Sequence, residues 1–338
     1  MSWITDYSQF LMQNLDFLET FILSTSVVIL DKKVLKSMKL RKDYIDKKVK
    51  IIEAPLMLEE YKKINYEVIE DEFRKDIIKF GKILEDNFDK KYSLNYNNNI
   101  ASVVIKKNLK NIRCAGIYYP LHNEMELKSD YDDSVLFHEL LHLASSTVRS
   151  EVVYTGFSQI TSFGIQGTGL NEGYTEYLNL KYFSPKSEAS RLYSYLVNIA
   201  SLIERIVGKD DMQKCYFNSD LFSLCNNISN YITLEEINKL IKDLDYIYEC
   251  FHVNIKELTF QTDLIIKAFN NINSTVLKMY TKKLLLEKDD YNEIESLINE
   301  FIMLLPLTYY SGYKTYYFED NVDLKENANK IINSNLQR

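Results

Sequence analysis

The sequence predicts an α+β fold in which helices dominate, and three observations point to it. Only 9 of the 338 residues are glycine and 4 are proline, and five glycines (Gly156, Gly164, Gly167, Gly169 and Gly173) crowd into one short stretch. Helices tolerate few glycines, so the glycine-poor flanks read as helical and the middle as the place where backbone turns concentrate. In the flanks, apolar residues recur at three- and four-residue intervals, as in "DEFRKDIIKFGKILEDNF". Between the flanks lie short β-like runs separated by turn signals.

Taken in order, residues 1–95 read as an N-terminal helical region, ending near the polar break "SLNYNNNI". Residues 96–186 form a core that opens with a small β-sheet made from "ASVVIKKN", "CAGIYYP" and "NEMELK", with turn signals at Gly116, Pro120 and Asn123. A helix around "FHELLHLAS" follows, then "VVYTGFSQITSFGIQGTG" as a hairpin or ordered loop, then a short helix near "LNEGYTEYLNL" that Pro185 closes. Residues 187–338 read as a C-terminal helical domain, as in "LEEINKLIKDLDYIYECF" and "YNEIESLINEFIMLL".

Composition narrows the function classes. Hydrophobic residues make up 46% and charged residues 26%, ordinary values for a soluble globular protein. The net charge of −7 leaves no basic stripe to neutralise phosphates, which argues against nucleic acid as a partner. The lysine-rich "KLRKDYIDKKVK" reads as a solvated helix face. The first thirty residues lack a basic leading region and carry Asp6, Asp16 and Glu19, unlike a secretory signal. "FILSTSVVIL" is about half the length needed to span a bilayer, so it reads as core and no stable membrane insertion is expected. Cys114, Cys215, Cys225 and Cys250 are scattered with no CxxC pair, which fits a reducing, cytoplasmic setting.

The chemistry concentrates in "FHELLHLAS". His138 and His142 are four residues apart, so on a helix both leave the same face. A tetrahedral zinc with bonds of about 2.0–2.1 Å needs ligand nitrogens roughly 3.3 Å apart, a separation that side chains at i and i+4 reach. Glu139 is turned away from the metal but close enough to reach a water beside it, the HExxH arrangement. Ser129, Asp130, Asp132 and Asp133 supply caps and favourable charge at the helix start. Val135, Leu136, Phe137, Leu140, Leu141 and Leu143 make the helix apolar almost all round, so it is buried. Two histidines on a helix are also compatible with a metal-free core, but buried imidazoles need partners, and one metal satisfies both.

A catalytic zinc needs a third protein ligand and one open position. The extended HExxHxxGxxH solution is excluded, because Ser145 and Val148 occupy its glycine and last-histidine positions. Downstream, "GLNEGYTEYL" places Glu172 and Glu176 one turn apart on a second helix. Glu172 fits as the third ligand, and Glu176 fits as the acceptor that orients the outer nitrogen of a ligating histidine.

HExxH followed by NEGxTE resembles the zincin metallopeptidases of the glutamate-ligand type, the gluzincins with their thermolysin-like and aminopeptidase-like members. The resemblance covers about residues 115–180. It implies a zincin-like core and one zinc ion per chain, held by His138, His142 and Glu172. It also implies Glu139 as general base, Glu176 in support of a histidine, and a peptide or protein as substrate. The chain departs from the pattern in two ways. Twenty-nine residues separate His142 from Glu172, so an extra hairpin is implied, and no exopeptidase motif accompanies them, which leaves an endopeptidase as the expected activity. Such sites use a further donor to steady the oxyanion, for which Tyr154, Tyr174, Tyr177 and His252 are candidates, Tyr154 and His252 foremost. His122, after Pro120, reads as a surface residue. "CAGIYYP" or "NEMELK" would offer an edge for strand addition by an extended substrate. Two alternatives stand beside the peptidase: a zincin-fold binding or regulatory module, and a zinc hydrolase of other amides or esters. A pure binding module has no need of Glu139.

Overall fold

The computed structural model describes residues 71–336, less 90–91, 108–114, 121, 150–151, 162–163, 186–189, 253–261, 307, 311–314 and 318–320. "FILSTSVVIL", the lysine-rich "KLRKDYIDKKVK" and Cys114 lie outside the described residues.

Among the described residues, helices predominate and three small sheets accompany them, an α+β architecture. Helix α1 (Asp71–Asn87) buries Phe73, Ile77, Phe80 and Leu84, the stripe its spacing predicts. Helix α2 (Ser93–Ile100) stands where the polarity of "SLNYNNNI" predicts a break. Asparagine is a weak helix former because its side chain competes for the backbone. Here the asparagines bond other elements instead: Asn95 Nδ2 donates to Phe217 O at 2.9 Å, and Asn99 Nδ2 to Leu143 O at 2.9 Å and Ser146 O at 2.8 Å. Tyr96 and Ile100, one turn apart, are buried.

Strands β1 (Val104–Lys106), β2 (Gly116–Tyr119) and β3 (Glu124–Leu127) form a sheet in the order β1-β3-β2, with β1 parallel and β2 antiparallel to β3. Asn123 makes the β2–β3 turn at φ 51°, a backbone state asparagine tolerates well, and its side chain accepts a 2.9 Å hydrogen bond from the Tyr118 hydroxyl. Helix α3 (Asp133–Ala144) lies against β2 and β3.

Strands β4 (Ser146–Arg149), β5 (Val152–Thr155), β6 (Ser158–Thr161) and β7 (Gly164–Gln166) then form an antiparallel meander in that order. It is larger than the hairpin or ordered loop expected there. Helix α4 (Thr168–Leu178) follows and runs into a π-helical turn, Asn179–Phe183. The C-terminal part comprises α5 (Ser190–Val207), α6 (Lys209–Phe217), α7 (Leu221–Ile228), α8 (Leu234–His252), α9 (Thr262–Glu287) and α10 (Tyr291–Leu304). Strands β8 (Thr308–Tyr310) and β9 (Thr315–Tyr317) pair antiparallel before α11 (Asn321–Leu336). That pairing departs from the all-helical reading of residues 187–338. Its Thr-Tyr-Tyr runs have the aromatic and β-branched composition that suits strands.

Gly173 lies inside α4, in the helix expected near "LNEGYTEYLNL", and so does Gly169, where glycine was expected to mark a turn. They are contact points. A Cβ at Gly169 would lie 2.2 Å from Leu244 O of α8, and one at Gly173 would lie 2.5 Å from Leu196 O of α5. Absent side chains therefore let two helix backbones press on α4. One contiguous hydrophobic core joins α1 to α11. No described helix is long and apolar enough to cross a membrane. Among the described residues, Cys215, Cys225 and Cys250 are free thiols.

Candidate metal centre

Helix α3 starts at Asp132, whose side chain accepts the Ser134 N–H at 2.7 Å. That bond holds the Asp132 carboxyl below its ordinary range. Leu136, Phe137, Leu140, Leu141 and Leu143 are fully buried, as the apolar pattern predicts, and His138, Glu139 and His142 are buried among them. Helix α4 then brings Glu172 against the two histidines.

The three side chains converge. His138 Nε2 lies 3.1 Å from His142 Nε2 and 3.3 Å from Glu172 Oε2, and His142 Nε2 lies 3.4 Å from Glu172 Oε1. These separations match the roughly 3.3 Å edge of a tetrahedral zinc site with bonds of about 2.0–2.1 Å. Among the described residues this is the group of histidine, cysteine or carboxylate side chains able to hold a metal ion.

The outer partners orient both rings, and for His138 they set which way the lone pair points. His138 Nδ1 donates to Glu176 Oε2 at 2.8 Å, which leaves the lone pair of the neutral ring on Nε2, facing the cluster. Asn179, in the π-helical turn, donates to the same Glu176 oxygen at 3.2 Å and to Ser134 O at 3.1 Å, tying the end of α4 to the start of α3. On the other ring, His142 Nδ1 sits 3.3 Å from Asn171 Nδ2 and 3.5 Å from Thr175 Oγ1. Asn171 is itself fixed by the Phe157 N–H at 3.1 Å, and Thr175 by the Tyr216 hydroxyl at 2.7 Å. An inward-facing imidazole lone pair and a carboxylate at these distances repel unless a cation lies between them. The donor set and its spacing therefore fit a divalent ion.

Where no cation lies between the ring and the carboxylate, a proton does. Burial disfavours a charged His138, yet the hydrogen bonds it donates to Glu172 and Glu176 outweigh it and hold the ring's pKa well above the ordinary value. Burial likewise pushes against ionised Glu172, but His142 and the hydrogen bonds to both rings hold its carboxyl far below the carboxylate range. Glu139 behaves differently. Burial raises its pKa, the two histidines only partly offset that, and the backbone N–H of Tyr118 on β2 bonds the carboxylate. Gly116 also faces Glu139, with space so tight that a Cβ there would lie 3.0 Å from Glu139 Cγ.

Of the expected oxyanion donors, Tyr174 and Tyr177 are placed elsewhere and the His252 side chain lies outside the described residues. Tyr174 and Tyr177 turn to the far side of α4 and donate to Glu204, at 2.5 Å and 2.8 Å, with Lys181 completing that group at 3.0 Å. Tyr154 is half-buried on β5, opposite Thr147 and Gln159. His252 is the last residue of α8, and its side chain lies outside the described residues. His122 is exposed in the turn after β2, as its sequence context predicts.

Among the described residues, Tyr193 of α5 is an aromatic residue that stands at the cluster. Its ring stacks on His138 with centroids 6.1 Å apart and planes 13° apart, and Tyr248 of α8 stacks behind it at 6.4 Å. Burial drives its phenol pKa well up, and the charges of Glu172, Glu139 and Glu176 add to the rise, which places the hydroxyl in the field of all three carboxylates. With 26 tyrosines in the chain, no local pattern singles it out. Asn171 had a signal, since it precedes Glu172 in the same NE pair.

No family model, no curated protein and no solved structure matches this chain.

Proposed function

We propose that this chain is a zinc-dependent peptide hydrolase that works in the manner of the glutamate-ligand zincins, with His138, His142 and Glu172 as the metal ligands. The observation that carries the reading is the triangle of 3.1, 3.3 and 3.4 Å among His138 Nε2, His142 Nε2 and the Glu172 carboxylate. A bound zinc supplies a Lewis acid that acidifies water and polarises a carbonyl.

The other steps belong to the chain's own residues. Glu139 lies one residue beyond the first ligand, and its raised pKa suits a group that first takes a proton from the attacking water and then gives it to the leaving amine. Glu176 and the pair Asn171 and Thr175 hold the two imidazoles in orientation. Tyr193, whose ring stacks on His138, is the proposed donor to the oxyanion. Strand β2 lies at an edge of its sheet and bonds Glu139 through Tyr118, so an extended peptide added to that edge would pass beside the general base.

The test is a peptide-library cleavage assay on zinc-loaded protein. Glu139→Gln is expected to keep zinc and abolish hydrolysis. Tyr193→Phe is expected to keep zinc and lower kcat about 100-fold or more, the usual effect of losing one oxyanion donor. Undiminished hydrolysis by Glu139→Gln would refute the proposed chemistry.

A further inference from the structure

We propose that Asp245, on α8, is a positioning residue for the metal centre: its carboxylate holds the first turn of α4 and so sets where Glu172 stands. The inference rests on Glu172 being a metal ligand.

Helix α4 does not cap itself. Its N-cap is Gly167, at φ 77° and without a side chain to bond the first amides. Those amides are orphan donors that need an acceptor. Asp245 provides it from another helix: Oδ2 accepts Gly167 N–H at 2.8 Å and Oδ1 accepts Gly169 N–H at 2.8 Å, with the Thr168 amide also bonded to the carboxylate. A two-oxygen clasp on successive amides fixes both the rotation and the axial position of that turn. Beside it, Gly169 rests directly on the Leu244 backbone, so no side chain cushions the contact.

Glu172 is one turn further along α4 than Gly169. It is the one ligand of the triangle contributed by α4, since both histidines belong to α3. A shift of this turn therefore moves one vertex of the triangle and leaves the other two in place. The same face of α8 reaches the second half of the site three residues later, where Tyr248 stacks on Tyr193 and Tyr193 on His138. Helix α8 thus braces the centre at Glu172 through backbone and at His138 through rings.

The experiment uses full-length metal-free protein as wild type, Asp245→Asn, Asp245→Ala and Glu172→Gln. Zinc affinity, the absorption spectrum with Co²⁺ as a reporter ion, and amide exchange across 168–176 are measured on each. Asp245→Ala is expected to weaken zinc binding about 10- to 100-fold, the usual range when a ligand's support is removed. Its Co²⁺ spectrum is expected to move toward that of Glu172→Gln, and the first-turn amides to exchange faster. Asp245→Asn retains one acceptor oxygen and is expected to fall between, which keeps the test open if the alanine variant does not fold. Zinc affinity and Co²⁺ spectrum equal to wild type in Asp245→Asn and Asp245→Ala, with wild type binding zinc, would overturn the positioning role alone. A merely structural cap would lower thermal stability without moving the Co²⁺ spectrum, and that result also overturns it. Wild-type protein that takes up neither zinc nor Co²⁺ would instead overturn the metal reading on which the inference stands.

Discussion

Helices α3 and α4 meet at the candidate metal centre, but they are built differently. Helix α3 carries its own start signal in Asp132 and is apolar nearly all round, so its burial follows from its own residues. Helix α4 begins at a glycine and takes its cap from Asp245 of α8. It also opens two bare positions, Gly169 and Gly173, to the backbones of α8 and α5. Helix α3 is specified from within, whereas α4 is placed from outside. Two ligands on a self-sufficient helix and one on an externally held helix make the position of Glu172 the adjustable element of the site.

This contrast can be broken experimentally. The largest expected effect is on α3. Leu140→Ala removes a fully buried side chain and should cost about 2–5 kcal/mol by denaturant unfolding, while the folded fraction keeps its zinc affinity. A smaller loss of stability but a greater effect on the site is expected from Gly169→Ala. The added methyl meets Leu244 O and should cost about 1–3 kcal/mol. It should also push α4 from α8 and weaken zinc binding. If Gly169→Ala binds zinc as tightly as wild type while Leu140→Ala does not, the contrast is reversed.

The effect furthest from the metal ligands concerns pH. Burial pushes the Asp245 carboxyl up to about 7, with Glu249 adding to the rise against the bonds from Gly169 and Gly167. The folded chain therefore keeps a proton that the unfolded chain releases near its ordinary pKa of 3.8. This contribution to stability is whole below about pH 4 and is lost as pH rises to about 7. In metal-free protein, Asp245→Asn should flatten the fall in unfolding free energy over that window. A wild-type profile no steeper than that of the variant would show that Asp245 is not held in this way.

The same contrast explains what was legible in the sequence. The burial and start of α3, the turn at Asn123 and the pairing of Glu172 with the two histidines depend on neighbours in the chain, so spacing and cap chemistry reveal them. Glu176 was readable too, being one turn from Glu172. The rest depends on contacts distant in sequence. "SLNYNNNI" looks like a break until its asparagines find carbonyls on Leu143, Ser146 and Phe217. Gly169 looks like a turn maker until α8 presses on it. Tyr193 stands at the site because α5 packs along α4, and nothing within α5 announces it. Tyr174 and Tyr177, nearer in sequence to the ligands, face away because the buried carboxylate of Glu204 draws their hydroxyls.

The central claim, that α3 and α4 together hold one divalent ion, is tested most directly by zinc titration of metal-free wild type and Glu172→Gln. The account predicts one zinc per wild-type chain, and binding weaker by about 10-fold or more in the variant. No uptake by wild type, or equal affinity in both proteins, would contradict it.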